Sequence, residues 1–329
     1  MYRVLNTAVS LLNATQKDLE TIGHNIANAA TTAFKSSEAK YGSSFYDVVS
    51  NALPTTDGSA GRLPIALGQG TKITATVTNF STQGGIVETG KPLDVAIDGS
   101  GFFKARDINT GSMYATRVGE LRRDTQGYLV TLDGKRIQGL SGGDFKFTVT
   151  KAGDQYIWKV DPADRVPPAS DATDILIQPS SDLTVAAGKV INNTGDADAI
   201  VEKSAPSMKD DIESNNAGDI LISFNDGTSY VAGKILLMNF NDPASLNPEG
   251  NGYFSGFDAA GASDDFLASK NSPGTHGLGV LKSRSLESSN VDLTAEFAKL
   301  MTRQPAYQAG ARVFGVSSQL LQTTVNLGS

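Results

Sequence analysis

The sequence predicts an α+β chain: mainly antiparallel β central domains, with N- and C-terminal helices paired in a coiled-coil-like layer. Three observations predict it. The first segment carries apolar and small residues at a seven-residue period, the last segment does the same, and the stretch between them breaks into short alternating runs punctuated by Gly and Asp-Gly.

At the N-terminus Leu5, Ala8, Leu12, Thr15, Leu19, Ile22, Ile26 and Ala29 step by three and four, which is an a/d stripe. Thr31 and Thr32 are weak helix formers, so the helix is expected to end there. The C-terminal stripe runs through Leu293, Phe297, Leu300, Gln304, Tyr307, Ala311, Phe314, Ser318, Leu321 and Val325. Ser289 and Asp292 form a capping pattern that places its start near Asn290, and Pro305 predicts a kink or break near Thr302. Strands are expected at Lys72–Val77, Asp94–Ile97, Tyr128–Leu132, Phe145–Val149, Ile175–Ile177, Ile220–Phe224 and Ile235–Phe240, with hairpin turns at Asp133-Gly134 and Asp226-Gly227. Leu53 to Gly70 and Asp161 to Asp174, rich in turn formers and without a period, read as loops or linkers.

Each stripe needs a partner to cover it, and the other terminus is the obvious one. The pairing can be an intramolecular hairpin or a contact between chains. Ala8, Thr15, Ala29, Gln304, Ala311 and Ser318 make a seam too thin for a robust two-helix coil, which favours assembly.

Composition narrows the function. The 329 residues suit two to three domains. With no Cys, the chain has no disulfide, zinc-thiolate or thiol chemistry. Its 28 Lys+Arg against 35 Asp+Glu leave a net charge of −7, which argues against nucleic acid or an anionic membrane as partner. No apolar run approaches a membrane span, and polar residues interrupt the first twenty too often for a signal-peptide core, so export would need another route.

Catalytic constellations are missing from the pattern. His24 and His276 are the only imidazoles and neither has a partner at metal-ligand spacing. Gly99-Ser100-Gly101 lacks the third glycine of a dinucleotide loop and reads as a β-turn pair. Asp210-Asp211 and Asp264-Asp265 lie among Ser, Asn, Gly and Lys, which predicts solvated loops rather than an acid–base cleft. The expectation is a non-enzyme with no catalytic, metal or cofactor site.

Five ordered blocks then resemble one family, the rod and hook axial proteins of the bacterial flagellum. Gly23 to Ser37, GHNIANAATTAFKSS, resembles its N-terminal pattern, with Ala33 where Gly is usual. Leu93 to Phe103, LDVAIDGSGFF, and Tyr114 to Gly139 resemble its core strand and the T-R-x-G block that follows. Leu286 to Met301 and Gln304 to Ala309 resemble its C-terminal SNVDLxxEF and QRxYQA patterns, with Pro305 in place of Arg.

The resemblance implies a structural subunit, exported unfolded through the flagellar export apparatus, that polymerises with itself into a hollow tube beyond the cell envelope. The hook is the first reading, from SNVDLTAEF and the ending TTVNL, and the distal rod is the alternative. Implied partners are further copies, adjacent rod and hook–filament junction proteins, and the hook cap. The implied interface is the inner helical layer: Leu5, Leu12, Leu19, Ile22, Ile26, Leu293, Phe297, Leu300, Tyr307, Phe314, Leu321 and Val325. The corresponding organisation is a terminal helical domain over 1–34 and 288–329, an extended linker over 35–74, a β core over 75–141 and 218–287, and an inserted outer β module over 142–217.

Overall fold

The computed structural model describes residues 2–51, 65–141, 147–152, 155–160, 172–177, 208–224, 229–262 and 268–327. The chain divides into two compact units, Met1–Thr82 with Ser289–Ser329, and Gln83–Ser288. The expected turn at Asp226-Gly227, the pair Asp264-Asp265, Phe145 and most of the two expected loops lie outside the described residues.

The first unit is built on two helices, α1 (Tyr2–Ala27) and α2 (Leu293–Leu327). Strands β1 (Ser37–Ser43) and β4 (Thr71–Thr78) pair antiparallel, as do β2 (Tyr46–Ser50) and β3 (Ile65–Gly68). Part of the expected linker is therefore regular sheet. α1 stops at Ala27, earlier than Thr31, because Asn28 turns its side-chain amide back onto the His24 carbonyl (2.9 Å) and competes with the next helical turn. The turn closes through Ala33, a buried non-glycine residue at φ 55°.

At the other helix the cap is Asp292, whose Oδ1 accepts from the Thr294 and Ala295 amides at 2.9 and 3.2 Å, so α2 starts at Leu293. Asn290 is spent instead on tying the chain down. Its Oδ1 accepts from the Ser36 amide (2.7 Å) and its Nδ2 donates to the carbonyls of Asn79 and Thr82 (3.0 Å each). The expected break at Pro305 is absent, and α2 is continuous through it. The carbonyl left without a donor belongs to Met301, a residue 65% exposed.

The second unit is a sheet protein. In chain order its strands are β5 (Ile86–Glu88), β6 (Val95–Asp98), β7 (Phe102–Arg106), β8 (Met113–Thr116), β9 (Leu121–Arg123), β10 (Leu129–Thr131) and β11 (Arg136–Ser141). Then come β12 (Phe147–Ala152), β13 (Gln155–Val160), β14 (Thr173–Asp174), β15 (Met208–Ser214), β16 (Asp219–Phe224) and β17 (Ser229–Ile235). The last are β18 (Leu237–Met238), β19 (Asn247–Gly250), β20 (Tyr253–Ser255), β21 (Val280–Ser283) and β22 (Ser285–Glu287). The main sheet runs β15-β16-β17-β11-β7-β8-β20-β19, with β10, β14 and β18 paired alongside. β6 pairs with β21, β5 with β22 and β12 with β13, all antiparallel.

Its core gathers Val95, Ile97, Phe103, Ile137, Ile175, Ile177, Ile220, Ile222 and Leu281. Two expectations are corrected here. Asp210-Asp211 lies within β15 and not in a loop, because the flanking Met208 and Ile212 pair with β16. Around Ile175–Ile177 the strand pairing is Thr173–Asp174, and the following residues continue through an Ile175 amide bond to the Ile137 carbonyl (3.1 Å) and a Leu176–Tyr128 bridge.

Candidate functional site

The helical pair is the feature that the sequence marked, and its seam can be read residue by residue. Asn25 Nδ2 donates to Glu296 Oε2 (3.4 Å), Arg303 Nε meets Asp18 Oδ2 (2.7 Å), and a Cβ on Gly310 would stand 3.4 Å from Leu11 Cδ2. These pairs advance by seven residues along each helix in opposite directions, so α1 and α2 pack antiparallel in heptad register. Gly310 matters at the crossing: a Cβ there would also lie 3.2 Å from Leu12 Cδ2.

Within one chain the two stripes are covered unevenly. On α1, Ala8, Thr15 and Ile22 are buried, but Leu5, Leu12, Leu19 and Ile26 are only half-buried. On α2, Leu300 and Leu321 are half-buried, whereas Leu293, Phe297, Tyr307, Phe314 and Val325 are exposed. The buried positions of α2 are Glu296, Gly310 and Ser317, a column of polar and small residues that the expected stripe leaves out. Their spacing in multiples of seven, matched by Leu11, Asp18 and Asn25, was the available signal. The physical reason is that polar atoms at this seam are paired: Ser317 Oγ donates to the Val313 carbonyl (2.8 Å) and Glu296 Oε1 accepts from Lys299 (2.7 Å).

A polar clamp extends the seam onto β1. Tyr41 donates its hydroxyl to Asp18 Oδ2 (2.7 Å), and the Arg303 guanidinium lies 5.2 Å from the Tyr41 ring centre. Burial, then the Asp18 carboxylate, pushes the Tyr41 hydroxyl up to about 12. Asn25 also holds both backbone groups of Ser37, accepting from its amide (2.9 Å) and donating to its carbonyl (2.8 Å). The consequence for α2 is that polar bonds fix its seam while most of its large apolar side chains, Phe297 and Val325 among them, are exposed.

In the second unit, Arg106, Arg136 and Gln138 converge on Asp174 beside a cleft of about 500 Å³ that Tyr128 and Met113 also line. Burial raises the Asp174 carboxyl, but the hydrogen bonds from Arg106, Gln138 and Arg136 outweigh it and hold the group below the usual range. Among the described residues no three His, Cys, Asp or Glu side chains cluster to hold a metal ion. His24 packs edge-on against Phe34 at 5.5 Å, and His276 sits in a loop at φ 50°.

Comparison with known proteins decides the family. Residues 5–35 match the flagella basal body rod protein family, 96–195 the D1 domain of the flagellar hook protein FlgE/F/G, and 282–327 the C-terminal domain of the flagellar basal body rod FlgEFG proteins. The chain belongs to the flagellar rod and hook axial proteins. It is similar to the basal-body rod protein FlgG of Bacillus subtilis, 28% identical over 99% of both chains. FlgG of Caulobacter vibrioides is 28% identical over 99% of this chain and all of the relative. The hook protein FlgE of Escherichia coli is 27% identical over 97% of this chain and 98% of the relative.

As an axial protein the chain is a structural component of the bacterial flagellum, and the resembling blocks resolve into fold instructions. Arg117 and Glu287 form a buried pair (2.8 Å) in which the guanidinium also donates to the carbonyls of Gly101 (2.8 Å) and Gly99 (3.0 Å). It thereby clamps the GSGFF turn, whose glycines take φ of 111° and 130°. Gly119 of the T-R-x-G block has no room for a side chain, since a Cβ would fall 1.6 Å from the Val95 carbonyl oxygen.

Proposed function

We propose that this axial protein is the hook subunit, polymerising through its terminal helices into a hollow tube that joins the basal-body rod to the filament. The observation that carries the assembly reading is the exposure of Phe297, Met301, Val316, Leu320 and Val325 on a helix whose polar seam is already satisfied. Burying such side chains is worth roughly 1.5 to 3 kcal/mol each, repeated at every subunit. The residues named above from Leu5 to Ile26 and from Leu293 to Val325 form this interface. The choice of hook rests on SNVDLTAEF and TTVNL. Export proceeds unfolded through the flagellar export apparatus, the hook cap guides addition, and the junction proteins follow.

The distal rod is the second reading, favoured by alignment length. FlgG of Bacillus subtilis aligns over 333 positions, whereas FlgE of Escherichia coli requires 424, so that hook protein carries segments this chain lacks. Imaging basal bodies from cells without this chain separates the two: complete rods without hooks establish the hook, and rods missing their distal part establish the alternative. Phe297→Asp should abolish polymer while leaving the melt of the second unit in place; normal polymer from this variant would refute the interface.

A further inference from the structure

Strand register places two like charges face to face at the cleft of the second unit. Arg106 of β7 stands opposite Arg136 of β11, and β14 pairs along β11 with Asp174 opposite Gln138. Like charges across a strand pair are unfavourable unless an anion separates them, and Asp174 supplies it by accepting from both guanidiniums. Gln138, 4% exposed, also donates to that carboxylate. One anion thus serves two cations and is already filled with donors.

Positive charge is left over. Among the described residues Asp174 is the only acid that lines the cleft, and Asp107, next to Arg106 in sequence, is turned into its own loop, where it accepts from the Asn109 amide (2.8 Å). Donors are left over as well: the Nε atoms of Arg106 and Arg136 are buried and, among the described residues, have no hydrogen-bond partner. The two guanidiniums differ in access. Arg136 is 14% exposed and stacked on Tyr128, its guanidinium carbon 3.5 Å from the ring centre, whereas Arg106 is 38% exposed and lines the cleft. Beside Arg106 the walls are apolar, formed by Met113, Tyr128, Ala172 and Leu176. A volume of about 500 Å³ with apolar walls and one placed charge is the build of a small-molecule site.

We infer that the cleft binds a small carboxylic acid with an apolar body, the carboxylate on the guanidinium of Arg106 and the hydrocarbon part against Met113, Tyr128 and Leu176. A planar guanidinium matches a carboxylate in both charge and shape. Asp174 and Arg136 are positioning residues: Asp174 holds Nη2 of Arg106, and Arg136 offsets the charge of Asp174 so that a second carboxylate can approach. The site lies wholly within the second unit, so it stands apart from the terminal helices and from the choice between hook and rod.

The probe is hydrocinnamate, a phenyl ring on a short carboxylate chain, titrated into the full chain and followed by calorimetry, with hydrocinnamide as its uncharged counterpart. The acid should bind, and the amide should bind about tenfold more weakly or worse, the loss expected for one hydrogen bond to a charged group. Arg106→Gln should weaken the acid by a similar factor without moving the melt of the second unit, since Arg136 and Gln138 still hold Asp174. Met113→Glu, at an exposed position on the cleft, should weaken it too by fixing a carboxylate at the mouth, and it decides the matter should the Arg106 variant unfold. No binding of millimolar acid by the wild-type chain, equal binding of the amide, or full binding by folded Arg106→Gln or Met113→Glu overturns the inference. Tighter binding of a blocked peptide carrying one glutamate than of the free acid overturns the assignment to a small molecule.

Discussion

Removing Arg117 should be the most damaging single change in the second unit. Its side chain and that of Glu287 are 6% and 0% exposed, and besides the ion pair the guanidinium serves the carbonyls of Gly99 and Gly101, while Glu287 Oε1 accepts from the Gly84 amide (3.1 Å). Arg117→Met keeps most of the volume but leaves a carboxylate buried without its cation and two turn carbonyls without donors. Breaking a buried pair from one side costs about 3 to 5 kcal/mol, a large fraction of the 5 to 15 kcal/mol that holds a typical domain. Replacing both partners, as in Arg117→Met with Glu287→Leu, removes the orphaned charge and should recover about half, the rest being lost with the carbonyl bonds. Urea unfolding of the full chain, followed by the strand signal in circular dichroism, measures both. A single-variant loss below about 1 kcal/mol, or a double variant no more stable than the single, would refute the reasoning.

Three further outcomes follow from the same geometry. The depressed Asp174 carboxyl contributes stability that is present above its unfolded value and lost as pH falls through the lower folded value; Asp174→Asn should flatten acid unfolding of the second unit below about pH 4. Tyr41 and Tyr253, both pushed up to about 12, chiefly by burial, should ionise last in a spectrophotometric titration. The stability they contribute, full below pH 10, should fade between there and 12, and Tyr41→Phe should remove one late step. Pro305→Ala should restore the missing bond to Met301 and strengthen α2 by up to about 3 kcal/mol, read as higher helical content and slower proteolysis; an unchanged helix would show that the backbone already compensates.

Much of this fold was legible because its signals were local. Asp133-Gly134 turns between β10 and β11, with Gly134 at φ 81°, and the runs at Lys72, Asp94, Tyr128 and Ile220 became β4, β6, β10 and β16. Both terminal helices were visible in their periods. What the period hid was which half of each stripe faces the partner helix. Periodicity alone does not choose the intramolecular face, and three long-range pairings set the seam: Asn25 with Glu296, Asp18 with Arg303, and Leu11 with Gly310. A polar residue counts as surface in a pattern until its partner, some 270 positions away, is known. Pro305 was misjudged for a related reason, since its cost depends on whether the orphaned carbonyl can reach water.

The distance between α1 and α2 along the chain also sets an order of events. Ala27 and Leu293 are joined through the whole of the second unit, so α1 is made long before the residues that complete its seam. Closing so long a loop costs little more in entropy than closing a short one, because the cost grows only with the logarithm of length. It cannot begin, however, until α2 exists. The seam therefore acts as a timer: Asp18 and Asn25 stay unpaired with α2 until nearly the entire polypeptide is available.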